Sequence, residues 1–274
     1  MNMNVKKIFH LSDIHIRTYK MHNEYISVFK QTLKDIKRLS QGYSRDEVRI
    51  VISGDYVHQK ITISNELLLL GTWFLRKLEE IAPVVIIAGN HDLLENNKDR
   101  LDSITPMVKL LPGLDISYYV GDSNCYLDNN LVWCVYSIFD DNRRPDIESA
   151  RKQYGDDKCY IGLFHAPVLG AKTDLGYEFD HGAQMEDFEG CDIVMLGDIH
   201  LRQSWNHKGT LIAYAGSLIQ QNIGENINGH GFLVWDVENK MFEEHDVENE
   251  AKFFKFKITS VDDINNDKET LINV

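Results

Sequence analysis

Cysteine is sparse in this sequence and long apolar runs are missing. Cys125, Cys134, Cys159 and Cys191 show no C-x-x-C spacing. That argues against a disulfide-stapled scaffold and points to a reducing, cytoplasmic compartment. No apolar run is long enough to span a bilayer. The opening MNMNVKKIFHLSD reaches a charged motif after a few apolar residues, so neither a signal peptide nor a membrane anchor is expected there. No internal repeat or low-complexity tract stands out, which disfavours an array. Positive charge is also in deficit, with 29 Lys+Arg against 42 Asp+Glu and a formal net charge of -13. A field of that sign repels polyanions, although the acidic residues bunch towards the C-terminal third and bound cations would offset part of the charge locally.

What remains is enough chain, at 274 residues, for one large α/β domain with its own core, with or without a small appendage. Short apolar runs alternate with amphipathic stretches, the pattern of strands and helices around a sheet covered on both faces. Strands are expected at Lys7–Leu11, 49–53, 84–88, 116–120, Leu131–Tyr136, 159–164, 193–196, 211–215 and Gly231–Asp236, with one more at 253–258. The apolar spacing of Ile26, Phe29, Leu33, Ile36 and Leu39 predicts a helix over 23–39. A second helix follows Ser64 as its cap, and a third is expected near 103–111. Leu67 to Leu70 with Trp73, Phe74, Leu75 and Leu78 make the second helix apolar around most of its circumference. Burial between the sheet and the first helix explains this, and a subunit interface is the sharper alternative.

Four expected strands end in clusters of Asp, His or Asn: LSDIH (Asp13, His15), SGD (Asp55), AGNHD (Asn90, His91, Asp92) and LGDIH (Asp198, His200). A fifth ends at His165. Singly, each reads as a turn or a cap. Jointly they indicate one site, because the carboxyl ends of parallel strands converge on one crevice. Carboxylate and amide oxygens with imidazoles suit a pair of first-row divalent ions, manganese above zinc or iron, with magnesium as the other hard candidate.

The ordered series D-x-H, G-D, G-N-H-D, H and G-x-x-H resembles the calcineurin-like metallophosphoesterases over residues 5–236. His58, three residues after Asp55, and the segment YAGSLIQQNIGE followed by His230-Gly231-Phe232 are similar to the SbcD (Mre-eleven) type DNA repair nucleases in particular. The resemblance implies a four-layer α/β fold, two mixed β-sheets sandwiched between helices, and a nuclease domain over 1–240. It implies two-metal, in-line hydrolysis of DNA phosphodiesters. Asp13, His15 and His200 would hold one ion, Asn90 and His165 the other, and Asp55 would bridge. His91 would serve the scissile phosphate as a catalytic residue, and His58 would orient the phosphate or His91. Asp198 departs from the pattern, since many members have a histidine there; ligation of the second ion is the reading adopted, with a hydrogen bond to a ligand as the alternative.

Arg17 and Arg202 follow metal motifs closely and are candidates for contact with a DNA backbone. His10, His22, His181, His207, His230 and His245 are assigned to no metal, and His181 lies in a loop with Tyr177 and Phe179 that is read as solvated. The resemblance further implies a homodimer through the first two helices and an SbcC/Rad-fifty-type ATPase partner. Too few residues follow Asp236 for both the family's capping domain and its ATPase-binding segment, so 241–274 is expected to be a short extension of a truncated form. A small-molecule or nucleotide phosphodiesterase with the same ions is the main alternative, and the negative charge favours it. A scaffold without chemistry is disfavoured because Asn90, His91 and Asp92 are intact.

Overall fold

The computed structural model describes residues 4–254 except 61, 95, 96, 98, 141 and 142. The chain first lays down β1 (Lys7–Leu11), α1 (His22–Leu39), β2 (Val48–Ser53), α2 (Asn65–Glu79), β3 (Val84–Ile87), α3 (Thr105–Lys109) and β4 (Ile116–Tyr119). It continues through β5 (Asn124–Asp128), β6 (Leu131–Tyr136), α4 (Ile147–Tyr154), β7 (Cys159–His165), β8 (Ile193–Gly197), β9 (Gln203–His207) and β10 (Thr210–Tyr214). It returns as β11 (Gly231–Asp236) and β12 (Met241–Asp246). Two six-stranded mixed sheets result, ordered β12-β11-β1-β2-β3-β4 and β5-β6-β7-β8-β10-β9. Neighbours β1, β2 and β3 are parallel, as are β6, β7 and β8, and the outer pairings β11/β12, β5/β6 and β9/β10 are antiparallel.

Central strands carry unbroken apolar runs because both of their faces are covered; all of β2 and β6 is buried. Side-chain alternation then assigns residues to layers. Phe9, Ile50, Ile52 and Ile86 face α1 and α2, whereas Ile8, Val51, Val85 and Ile87 face Trp133, Ile161, Leu163 and Met195 of the other sheet. Beyond the second sheet, Val132, Cys134, Tyr160 and Val194 pack with Ile147 and Ala150 of α4. The layers therefore run helices, sheet, sheet, helix. Arg49 on β2 ties the two sheets together, donating to both oxygens of Asp128 on β5 at 2.8 and 2.7 Å. The four cysteines are free and buried. Among the described residues, no helix is long and apolar enough to cross a membrane.

Helix α2 begins where Ser64 accepts a hydrogen bond from the Leu67 N–H at 3.1 Å, as the capping pattern predicted. Its apolar girth is explained by packing on two sides: Leu67, Leu70, Phe74, Leu75 and Leu78 are buried, and Phe74 stacks on Phe29 of α1 at 3.8 Å between centroids. Truncating Phe74 to alanine is expected to cost about 3–5 kcal/mol.

Four elements were not anticipated: β5, β9, β12 and α4. Strand β12 pairs with β11 in register from Gly231↔Asp246 to Asp236↔Met241, so the expected boundary after residue 240 falls within a hairpin of the first sheet. Of the strand expected at 253–258, residues 253 and 254 belong to no strand, and 255–258 lie outside the described residues.

Candidate metal centre

The motif residues leave the carboxyl ends of β1, β2 and β3 in one sheet and β7 and β8 in the other. The turns there are tight. Asp13 (φ 49), His15 (φ 51), Asp55 (φ 52) and Asp198 (φ 95) adopt the left-handed conformation that non-glycine residues rarely take, a concentration of backbone strain expected at a functional site. The strand-end loops zip together through Asp13 N–H donating to Gly54 O at 3.2 Å and His15 N–H donating to Asp55 O at 2.9 Å. Gly89 is required for the approach: a Cβ there would lie 2.6 Å from His165 Nε2 and would overlap the Asp55 carboxylate.

The side chains converge. His15 Nε2 lies 3.1 Å from His200 Nε2, 3.4 Å from Asp55 Oδ2 and 3.9 Å from Asp13 Oδ1. His200 Nε2 is 3.8 Å from Asp13 Oδ1. His165 Nε2 is 3.2 Å from Asp55 Oδ1 and 3.8 Å from Asp198 Oδ1. Two overlapping ligand groups emerge, Asp13/His15/His200 and Asp13/Asp55/His165, with His15/His58/His91 alongside.

Surrounding groups orient these ligands. His165 Nδ1–H donates to Ser53 O at 2.7 Å, which leaves Nε2 as the ligating nitrogen facing the cluster. Glu225 does the same for His200, accepting from Nδ1 at 2.8 Å. Its carboxylate is itself fixed by Asn222 Nδ2 at 2.6 Å and Gln221 N–H at 2.8 Å. Sequence reasoning gave Glu225 no role; it stood only as the last residue of the closing YAGSLIQQNIGE segment. Asp92 is no ligand. It accepts from the N–H groups of Val57 at 2.9 Å and Gly89 at 2.8 Å, locking the loop after β2 to the loop after β3.

Burial pushes the Asp13 carboxyl up to about 6 against the pull of His165 and His200, and burial with the Asp55 charge pushes Asp92 up to about 7. Burial also opposes charge on Asp55, but His165 outweighs it and holds that carboxyl well below its usual range. His200 rises to about 9, its burial outweighed by Glu225 and Asp13.

His91 Nδ1–H donates to His58 O at 2.7 Å, freeing its Nε2, and the two rings stack at 5.5 Å. Arg17 stands behind them, Nη1 3.4 Å from His58 Nε2 and Nη2 donating to Gln221 O at 2.9 Å. Burial and the Arg17 charge lower His58 to about 4, so it is neutral at physiological pH. Arg202 is engaged elsewhere: its guanidinium pairs with Asp246 at 2.8 Å and Glu244 at 3.2 Å, clamping β12. None of the six histidines left unassigned joins a ligand group among the described residues.

The donor set fits divalent cations on two observations. His165 Nε2 and Asn90 Oδ1 are buried with no hydrogen-bond partner, a state costing roughly 1–3 kcal/mol per group. The carboxylates of Asp13 and Asp55 and the imidazoles of His15, His165 and His200 also crowd into two overlapping groups, closer than buried like charges tolerate without a shared counter-ion.

A known family matches the segment of the chain that carries these residues. The model of the family described as calcineurin-like phosphoesterase matches residues 6–202. An uncharacterized protein of Acanthamoeba polyphaga mimivirus is 40% identical over 259 residues, covering 93% of this chain and 19% of that protein. The chain thus spans about a fifth of the length of that relative. Two solved structures are similar at a TM-score of 0.42: the phosphopantetheinyl hydrolase PptH of Mycobacterium tuberculosis, with 11% identity, 79% of this chain and 91% of that chain covered, and a novel archaeal phosphodiesterase, with 13% identity, 87% and 98% covered. With its strand-end motifs gathered into one buried ligand cluster, the chain belongs to the calcineurin-like phosphoesterase family, a family of metal-dependent hydrolases.

Proposed function

We propose that this phosphoesterase cleaves phosphodiesters of DNA, as a nuclease of the SbcD type. One observation carries the reading: His58, Arg17 and the free face of His91 form a corner directly beside the ligand cluster, with His15 in ring contact with both His58 and His91 at 5.4 and 4.8 Å. Among the described residues, Arg17 is the cation brought against these histidines. One fixed positive charge with two imidazoles complements the single negative charge of a diester better than the double charge of a monoester.

Asp13, His15 and His200 would hold one ion, Asn90, His165 and Asp198 the other, and Asp55 would serve both; the oxygen-rich set favours manganese. Bound, two such ions polarise the phosphate and make water a nucleophile at neutral pH. His91 supplies a hydrogen bond, or a proton to the departing oxygen, from Nε2. Neutral His58 fixes the His91 ring from its carbonyl and shields Arg17. A homodimer through α1 and α2 and an ATPase partner follow from the same reading; Leu69 on α2 is 71% exposed and is available for such an interface. A strictly monomeric mass at micromolar concentration would contradict the dimer.

The net charge of -13 favours a second reading, a phosphodiesterase of nucleotides or other small esters. A panel separates them: single- and double-stranded DNA beside a small diester and its monoester, with manganese. Cleavage of DNA supports the nuclease, and turnover of the small diester with DNA intact supports the second reading.

A further inference from the structure

Beside the ligand cluster lies a cleft of about 420 Å³ that the reading above leaves without a task. It is lined on one hand by His200, Asp198 and Glu225 of the site and on the other by the apolar Leu175, Phe179 and Ile199. Asp174 and Asn222 add polar groups to the lining. No lysine or arginine lines it among the described residues, and the carboxylates present would repel a second phosphate. The occupant is therefore not a second anion, and the apolar side chains call for an apolar face.

The cleft is built rather than incidental. The loop carrying Leu175 folds back as a small hairpin, with Thr173 N–H donating to Tyr177 O at 2.9 Å and Phe179 N–H donating to Ala171 O at 2.8 Å. Asp174 pins that hairpin to the opposite loop, accepting from Asn226 N–H at 3.1 Å and Asn226 Nδ2 at 2.6 Å. Phe179 meets Tyr177 edge-on at 5.1 Å, which fixes its ring plane. Even so, Leu175 remains 81% exposed and Tyr177 52% exposed. Large apolar side chains carried in the open on a hydrogen-bonded hairpin beside a hydrolytic site mark a place that substrate covers.

Resting on the phosphodiesterase reading, we infer that this cleft is a nucleobase subsite, receiving the base of the nucleotide attached to the scissile phosphate. A flat ring slides between Leu175 and Phe179, and its polar edge meets the amide and carboxylate groups of Asn222 and Asp174. The anionic part of the substrate is directed the other way: His15 separates His200 from His58, in ring contact with each at 5.0 and 5.4 Å, and Arg17 lies behind His58. Phosphate and base are thereby sorted to different sides of the ligand cluster. A base lodged there must be unstacked, so strand ends and single strands are the preferred form of DNA.

The test compares two diesters that share a leaving group, thymidine 5'-(4-nitrophenyl phosphate) and its abasic 1,2-dideoxyribose analogue, in the full chain with manganese. The thymidine ester is expected to have kcat/KM about tenfold above the abasic one, as stacking of one base provides. Leu175→Asp is expected to bring the ratio close to one, whereas Leu127→Ala, at an exposed leucine of β5, leaves it at the native value. Leu175 is exposed, so neither outcome depends on a folding defect. A native ratio near one, or a ratio that Leu175→Asp does not move, overturns the subsite while leaving the phosphodiesterase reading standing. Hydrolysis of neither ester overturns that reading and the subsite with it.

Discussion

His165 Nε2 lies 3.2 Å from Oδ1 of Asp55, so a histidine closing a strand of one sheet meets a carboxylate closing a strand of the other. The second oxygen of Asp55 faces His15 at 3.4 Å. A single carboxylate thus spans both halves of the ligand cluster.

Glu225→Ala removes the acceptor that fixes His200. Ligand-orienting partners of this kind are worth roughly 10–100-fold in metal affinity or activity. The expected result is a loss in that range for manganese, measured by titration on folded protein; because Gln221 N–H and Asn222 also lose their acceptor, the metal-free chain is expected to lose about 1–3 kcal/mol of stability as well.

Asp198→Ala tests whether the carboxylate standing in for the family's histidine is a ligand. Its Oδ1 is 3.8 Å from His165 Nε2. Loss of one ion per chain by elemental analysis is expected; unchanged stoichiometry would remove Asp198 from the ligand set.

Gly89→Ala places a methyl against His165 and the Asp55 carboxylate. The neighbours are backbone-anchored ligands, so the strain has no cheap outlet, and a destabilisation of about 1–3 kcal/mol is expected in denaturant melts. A variant as stable as the native chain would show that the strand ends are looser than described.

His10 gives a pH prediction independent of metal binding. It is fully buried, bonds Ser53 Oγ at 2.8 Å, and is lowered by burial to about 3. The unfolded chain binds this proton from about pH 6.5 downwards while the folded chain does not. Stability from His10 is therefore complete above that pH and falls by up to about 1.4 kcal/mol per unit as pH drops towards 3. His10→Gln should flatten that part of the stability profile; an unchanged slope would refute the assignment.

Much of this was legible in the sequence for a physical reason. Strands covered on both faces read as unbroken apolar runs, and β2, β6, β7 and β8 were located to within a residue or so. Edge strands lack that signal. NCYLD, QSWNH and MFEEHD form one ladder and leave a face in water, so β5, β9 and β12 look like loops. IESARKQY buries only Ile147 and Ala150, too little periodicity to betray α4. Apolar runs also do not reveal what covers them: the second sheet came from the family resemblance, not from the pattern. At the site, ligand types were readable because motifs ended strands. Glu225 was not, since an acidic residue in a Gly- and Asn-rich loop carries no mark until His200 is beside it, and neither was Arg202, whose carboxylate partners lie on an unanticipated strand.

One buried cluster at the strand ends is proposed to hydrolyse phosphodiesters with bound divalent metal. The most direct measurement is hydrolysis of bis(4-nitrophenyl) phosphate by chelator-stripped chain, titrated with manganese, for the native protein and Asp55→Ala. Activity absent after stripping, restored by manganese, and reduced at least about a thousandfold by Asp55→Ala is the expected result. Hydrolysis that survives stripping, or that Asp55→Ala leaves intact, would contradict the account.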